Sequence, residues 1–563
     1  MEADTSTVGR YLATRLAEVG MRHFFAVPGD YNLVLLDEFL KVQELEMISC
    51  CNELNAGYAA DGYARATSGV SAALVTFSVG GLSLLNAIAG AYAEDLPVIA
   101  ISGGPNTNSA AENELLHHTL GKVDYGYQRE IFAQVTQEAI IIQHPADAPR
   151  QVDRAIESAI THRKPVYLEI GCNIAATTVP APTPRSFNPR RPSDPVALAA
   201  AVQHTAELLN TASKPVLIAG VKLRSAEASG AFHQLADAAG YAVASMSNAK
   251  GLVDEQHPGY MGTYWGPVGT PGCGEIVESA DLCLFAGPTF TDYTTTGHTT
   301  LINPAKSIRI EPDSVVLPGR VYDGISMAEF LAALAPELQH NDTSLQAFHR
   351  IREEIRPLEP GPPDAPLTTR QLFLRIQKML DDQSTVIAET GDSWFNGIGL
   401  NLPTESRFEI QMQYGSIGWS VGATLGYCVG SPERRVIACI GDGSFQMTAQ
   451  ELSTMIRYHA KPIIFLINNG GYTIEVEIHD GPYNTIKNWK YAELVDVFRP
   501  DHGEAWGCRA TTEGELDDAI DQALSRDGLA LIEVAIARDD CSKNLLEWGG
   551  HVAKNNSRPP RTS

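Results

Sequence analysis

At 563 residues the chain is too long for a single hydrophobic core. Its net charge of −25, from 42 Lys and Arg against 67 Asp and Glu, argues against nucleic acid or an anionic membrane as a partner. No apolar run approaches the ~20 residues of a membrane span, and the opening MEADTSTVGRYLATRL lacks the pattern of a signal peptide. The nine cysteines show no C-x-x-C spacing. Cys50, Cys51, Cys428 and Cys439 lie in apolar segments and read as small core residues, so a reduced, cytoplasmic setting is expected.

Two proline-rich seams, 179–195 and 356–366, suit exposed linkers and divide the sequence into three blocks. Each block alternates short apolar runs with amphipathic stretches. ALVTF (73–77), PVIAIS (97–102) and PVYLEI (165–170) are such runs in the first block, and PVLIAG (215–220) and DLCLFAG (281–287) in the second. That alternation predicts an α/β protein of three doubly wound domains with mostly parallel sheets, over 1–182, 195–350 and 366–563.

In the first block, FFAVPGDYN places Asp30 and Asn32 after a short strand, where either is expected to cap the helix LVLLDEFL. Next, CCNELNAGYAADGYAR predicts a helix with Asn52 as N-cap and Glu53 in its first turn, a position that suits the helix dipole. Glycine or alanine at 56, 57, 59, 60, 62 and 64 makes that helix thin, so another backbone can approach it closely. The pair His117-His118 follows; adjacent residues on a helix point about 100° apart, so both serve one site only at a helix end or in a loop. With Asp30 they offer proton donors that titrate near neutrality. The middle block shows no G-x-G-x-x-G after its strands and reads as structural, with some residues reaching the site.

The third block carries the densest chemistry. TVIAE runs into AETGDSW, and VIACI (436–440) runs into Gly441-Asp442-Gly443. Thr448 and Glu451 match a capping box, which predicts a helix starting near Thr448. A second buried strand over 463–467 leads to Asn468-Asn469. A right-handed crossover makes both strands parallel and puts Asp442 and Asn469 at their carboxyl ends, where doubly wound sheets bind ligands. Mg²⁺ takes six oxygens, commonly one or two carboxylates plus substrate phosphates. Asp442, the Asn469 amide oxygen and the Gly471 carbonyl would leave places for phosphate oxygens and water, and glycines at 441 and 443 let backbone N–H groups come close to the phosphates.

GDG followed by NN at this spacing resembles the cofactor signature of the thiamine diphosphate (ThDP) enzymes. PGDYN, NELNAGYAADGYAR and LLHHTLG resemble their 2-oxo acid decarboxylase branch, most nearly the bacterial pyruvate decarboxylases. The likeness runs from TVGRYLATRLAEVG through AETGDSWFN, QYGSIGWS and NNGGYTIEVEIHDGPYN to LLEWGGHVA. It implies a pyrimidine-binding, a middle and a diphosphate-binding domain, ThDP and Mg²⁺ as cofactors, and a carboxy-lyase of alcoholic fermentation. Pyruvate would be converted to acetaldehyde and CO₂ through an adduct at C2 and an enamine.

By the same resemblance Glu53 is the activating carboxyl group at N1′ of the aminopyrimidine. Asp30, His117, His118 and Glu475 serve the reacting carbon. Thr390, Gly391, Asp392, Gly443, Ser444 and Ile474 lie against the cofactor. The Gly415 carbonyl accepts from the 4′-amino group, and Ile417 bends the cofactor. Tyr293, Trp394, Ile478 and Trp548 bound the substrate and keep the pocket small. The family implies a site shared between two chains, hence a homodimer at least and a homotetramer by expectation. A cysteine linked to substrate activation in fungal members has no counterpart around Lys222-Leu223-Arg224. The rival readings are a decarboxylase of larger 2-oxo acids, an acetolactate synthase of the same fold, and a silent ThDP-fold partner subunit.

Overall fold

The computed structural model describes residues 5–187, 192–352, 359–499 and 503–560. Parts of both proline-rich seams lie outside the described residues. Among the described residues, no helix is long and apolar enough to cross a membrane.

The apolar runs become strands of three sheets. The first is wholly parallel, in the order Glu46–Ser49, His23–Ala26, Ser71–Thr76, Val98–Gly104, Val166–Gly171, Ala139–Ile142. The last is also wholly parallel, in the order Arg407–Glu409, Ser384–Ala388, Arg435–Gly441, Ile463–Asn468, Ala530–Ala535, Trp506–Ala510. Counted along the chain within each sheet, the two orders are the same. In both, the first and third strands lie side by side and the chain winds away from them in opposite directions. That is a topological switch point, where the crevice beyond the strand ends is open to a ligand. The middle sheet has seven strands and turns antiparallel only at Ser314–Leu317 and Arg320–Asp323.

The central strands of the outer sheets are buried on both faces, as their continuous apolar runs require. The thin helix Glu53–Thr67 packs backbone to backbone on Trp419–Gly430 of the third block. A Cβ on Gly62 would stand 2.2 Å from the Ala423 carbonyl oxygen, and one on Gly426 1.8 Å from that of Ala59. Only glycine leaves room at these two crossings. Beside them Arg65 is wholly buried, bonded to Asp61 at 2.6 Å and Glu409 at 3.2 Å, with Glu94 at 3.4 Å. Arg224 of the middle block reaches the same Glu409 at 2.6 Å, so one charge network ties the three blocks together.

Several local expectations are corrected. The helix after the GDG turn begins at Asp442, with Gly441 as N-cap, not at Thr448. The Thr448 hydroxyl donates to the Gly418 carbonyl at 2.7 Å, and Glu451, which opens the next helix, accepts from the Cys51 N–H at 3.3 Å. Tertiary partners therefore take both groups of the supposed capping box. Cys51 is exposed and Cys428 half-buried, while Cys50 and Cys439 are core residues. Asn32, not Asp30, holds the N-cap position of its helix, but its side chain makes no capping bond and instead accepts from the Gly29 N–H at 2.9 Å and donates to the Val27 carbonyl at 3.0 Å. Asn52 caps as expected, accepting from the Asn55 N–H at 2.8 Å.

Candidate active site

Chemistry-bearing residues gather at the switch points of both outer sheets, and the two groups differ in kind. At the third sheet a cleft is lined by Thr390, Gly391 and Asp392 beyond one strand, Gly441, Gly443 and Ser444 beyond its neighbour, and Asn469, Gly471 and Ile474 beyond the next. Ile417 and Tyr472 are among its other walls. Gly391 has φ +137°, and a Cβ there would meet nothing, so its backbone lies open to the cleft.

Asp442 is fully buried beneath that cleft. Its carboxylate accepts from the Gly443 N–H at 2.7 Å and the Gly470 N–H at 2.6 Å. Burial pushes its pKa up to about 6, opposed only by backbone N–H groups of 443 and 469–471. Among the described residues no cationic side chain is paired with it. A buried carboxylate without a counter-charge is costly, and a divalent cation would offset that cost. The Asn469 amide donates to the Thr473 hydroxyl, leaving its oxygen for another partner. The residues present therefore fit a divalent cation with a diphosphate.

The turn after the cleft is held from behind. Gly415 has φ +64° and faces open space, and the Ser416 N–H is fixed by the Gln411 side chain at 2.9 Å. Glu389, buried at the end of its strand, accepts from the Gly418 N–H at 3.1 Å, the Ser420 hydroxyl at 2.6 Å and the Thr390 N–H at 2.8 Å. It ties the Thr390 strand end to the Ile417 turn, a role the sequence reading missed. An acid ending an apolar strand, in AETGDSW, was its signal. Asp392 faces the cleft, yet both its oxygens accept from Ser542, at 3.0 Å from the N–H and 2.5 Å from the hydroxyl. Burial pushes its pKa up to about 6.

At the first sheet, Glu53 is half-buried in the first turn of its helix. Its carboxylate hangs over the start of the helix Val79–Ala93, where a Cβ on Gly80 would stand 3.3 Å from Oε1. Asp30 lies beyond the neighbouring strand, with His117 Nε2 2.5 Å from Oδ2 and His118 Nε2 3.6 Å from Oδ1. The histidine pair sits in a turn, and His118 has φ +62°, which brings both rings round to one carboxylate.

Within one chain the two groups are apart. Glu53, Asp30 and the histidines do not line the Asp442 cleft. The start of the Glu53 helix lies against the far end of the helix Asp442–Thr448, with the Asn55 amide 3.5 Å from the Thr448 carbonyl. Seven residues of helix span about 10 Å.

Of the remaining expected residues, Glu475 is exposed in the first turn of its helix, and its charge helps raise the Tyr293 phenol, after burial. Trp394 and Trp548 are fully buried and do not line the cleft. They form an aromatic cluster with Tyr293, whose ring centroid is 6.1 Å from Trp394 and 4.8 Å from Trp548. Trp548 and Trp265 both donate to the Tyr293 carbonyl, at 3.2 and 2.7 Å, so the middle block is pinned against this wall. Ile478 is half-buried on the same core.

These observations define a protein with two groups of polar residues at matching switch points, one of glycine-rich turns over a buried carboxylate, the other of Glu53, Asp30 and two histidines. The chain matches the thiamine pyrophosphate enzyme N-terminal TPP binding domain over residues 6–128, the central domain over 202–338 and the C-terminal TPP binding domain over 393–534. It is 53% identical to pyruvate decarboxylase 4 of Arabidopsis thaliana, covering 99% of this chain and 93% of that protein. It is 53% identical to pyruvate decarboxylase 2 of Oryza sativa subsp. japonica (100% and 93%) and 52% identical to pyruvate decarboxylase 2 of Nicotiana tabacum (99% and 95%). The X-ray structure of a candidate thiamin diphosphate-dependent enzyme from Mycobacterium smegmatis superposes with a TM-score of 0.76 at 20% identity, over 95% of this chain and 100% of that one, which speaks to the fold. The chain belongs to the thiamine diphosphate-dependent 2-oxo acid decarboxylases, in the family of the pyruvate decarboxylases.

Proposed function

We propose that the protein decarboxylates pyruvate to acetaldehyde and CO₂ with ThDP and Mg²⁺, as the names of its relatives suggest. The observation that carries the reading is the buried, uncompensated Asp442 beneath a glycine-lined cleft at a switch point. Asp442, the Asn469 amide oxygen and the Gly471 carbonyl would hold the metal. Gly443, Ser444, Thr390, Gly391 and Asp392 would cradle the diphosphate end. Ile417 and Ile474 would wall the rings, and the Gly415 carbonyl would accept from the exocyclic amino group. The bound cofactor supplies a nucleophilic carbon and an electron sink, and the protein supplies orientation and protons.

Glu53 would hold a proton at its carboxyl group against the pyrimidine ring. Each turnover takes up one proton as CO₂ leaves, and the Asp30, His117 and His118 trio holds protons at the carboxylate and the two Nε2 atoms. Glu475 would serve the reacting carbon. The wall of Tyr293, Trp394 and Trp548, with Ile478 beside it, would limit the pocket to a small oxo acid and keep water out, which favours loss of a charged carboxylate. Because Glu53 and the Asp442 cleft stand apart in one chain, the reading takes a homodimer as the active unit and a homotetramer as the assembly. It takes 1–182, 195–350 and 366–563 as domains and a cytoplasmic, fermentative setting.

The test is acetaldehyde formation from pyruvate with and without added ThDP and Mg²⁺. Turnover that needs both supports the reading, and absence of acetaldehyde from fully loaded protein overturns it.

A further inference from the structure

We propose that Asp30, His117 and His118 form a chelating site for a divalent transition metal of the zinc class, and that such an ion inhibits the enzyme by occupying it. The inhibition rests on the acid–base reading of these residues, whereas the ion binding does not.

One carboxylate oxygen and one ring nitrogen from each histidine all lie within 4.8 Å of one another. Both Nε2 atoms face the same carboxylate, at 2.5 and 3.6 Å. In a tetrahedral zinc site with bonds of about 2.0 Å, neighbouring ligand atoms stand about 3.3 Å apart. On admitting an ion the shorter contact widens by about 0.8 Å, and separations that reach 4.8 Å close by up to about 1.5 Å. The trio is partly open to solvent, so neither entry nor that adjustment meets a packed core.

Two further observations point the same way. His118 keeps a left-handed backbone, with φ +62°, and this turn is what brings adjacent rings to one point. Tyr31 stacks on His117 at 4.9 Å and 15°, with its hydroxyl 3.4 Å from Nδ1. A partner at Nδ1 orients the ring with Nε2 toward Asp30, an arrangement common to metal-binding histidines.

Two imidazoles and one carboxylate with an open fourth position match zinc, not magnesium, which requires oxygen ligands. The overall negative charge favours cation uptake. An Nε2 bonded to a metal cannot carry a proton.

The experiment is a Co²⁺ titration of the protein loaded with ThDP and excess Mg²⁺, followed by visible absorption and then by Zn²⁺ displacement. The expected result is one Co²⁺ per chain with the intense bands of a tetrahedral nitrogen–oxygen site, lost on adding Zn²⁺. Pyruvate turnover should fall in step with occupancy and return on chelation. H117Q and H118Q, at exposed or half-exposed positions, should each weaken Co²⁺ binding at least tenfold, since even outer partners of metal ligands are worth that much. Unchanged affinity in both folded variants, or only the weak absorption of an oxygen site, would overturn the proposal. Tetrahedral binding without pyruvate turnover would keep the metal site and remove the proposed reaction.

Discussion

The first and third sheets have one strand order and opposite chemistry. Both open at the same switch point, beyond adjacent first and third strands. The third sheet ends those strands in glycine-rich turns over a buried carboxylate, a geometry for phosphate and metal. The first ends them in Asp30 and the turn before Gly80, with Glu53 beyond the edge strand beside it, a geometry for protons. One topology thus fixes where a ligand sits, while the residues of the first turns decide what is done to it.

That contrast can be broken at either end. The largest effect is expected for Asp442→Ala, which should abolish Mg²⁺-dependent cofactor binding and turnover while the apo protein stays folded; calorimetry with ThDP and Mg²⁺ checks it. Glu53→Gln should leave cofactor affinity and melting temperature near wild type and lower turnover by about 10²–10⁴, the range of a lost proton-transfer group. A variant near wild-type rate would remove Glu53 from the chemistry. Parallel results for both variants, each losing cofactor, would erase the division of labour between the sheets.

The next effects are on stability and concern how the sheets are held together. Arg65→Met leaves Asp61 and Glu94 buried without their cation, and Glu409 with Arg224 alone, and should cost about 3–5 kcal/mol by denaturant unfolding. Gly426→Ala places a methyl group 1.8 Å from the Ala59 carbonyl and should cost about 1–3 kcal/mol while opening the Glu53 helix from its partner.

The smallest effect is a pH slope. Burial pushes Glu169 up from 4.5 to about 7, even though the Tyr167 hydroxyl donates to it. The native state then holds a proton that the unfolded chain has released between these values. Stability from this group is present below pH 4.5 and lost as pH rises to about 7. Glu169→Gln should flatten that part of the melting-temperature profile; an unchanged slope assigns it elsewhere.

What the sequence discloses follows from the range of the forces involved. Strands such as 436–440 and 463–467 are legible because burial on both faces demands continuous apolar runs. The Asn52 cap and the thin Glu53 helix are local too. The Thr448 start was misread because both groups of its apparent capping box are taken by partners far along the chain, Gly418 and Cys51. Asn32 takes the expected N-cap position, but its side chain braces the turn behind it and not the helix ahead. Trp394, Trp548 and Tyr293 of another block illustrate the same limit: only the family resemblance groups them, and no local pattern says that they form one buried wall. Glu389 carries a recognisable signal, an acid closing an apolar strand, but its partners lie some thirty residues on, in a turn no local pattern connects to it.

The central claim is that a working centre joins the first-sheet half-site of one chain to the third-sheet half-site of another. Mixing the inactive E53Q and D442A proteins, with subunit exchange, measures this directly. If the halves come from different chains, mixed dimers contain one intact centre, and about a quarter of the wild-type acetaldehyde rate should return. If no activity returns although exchange is verified, both residues serve one chain's own site and the account is wrong.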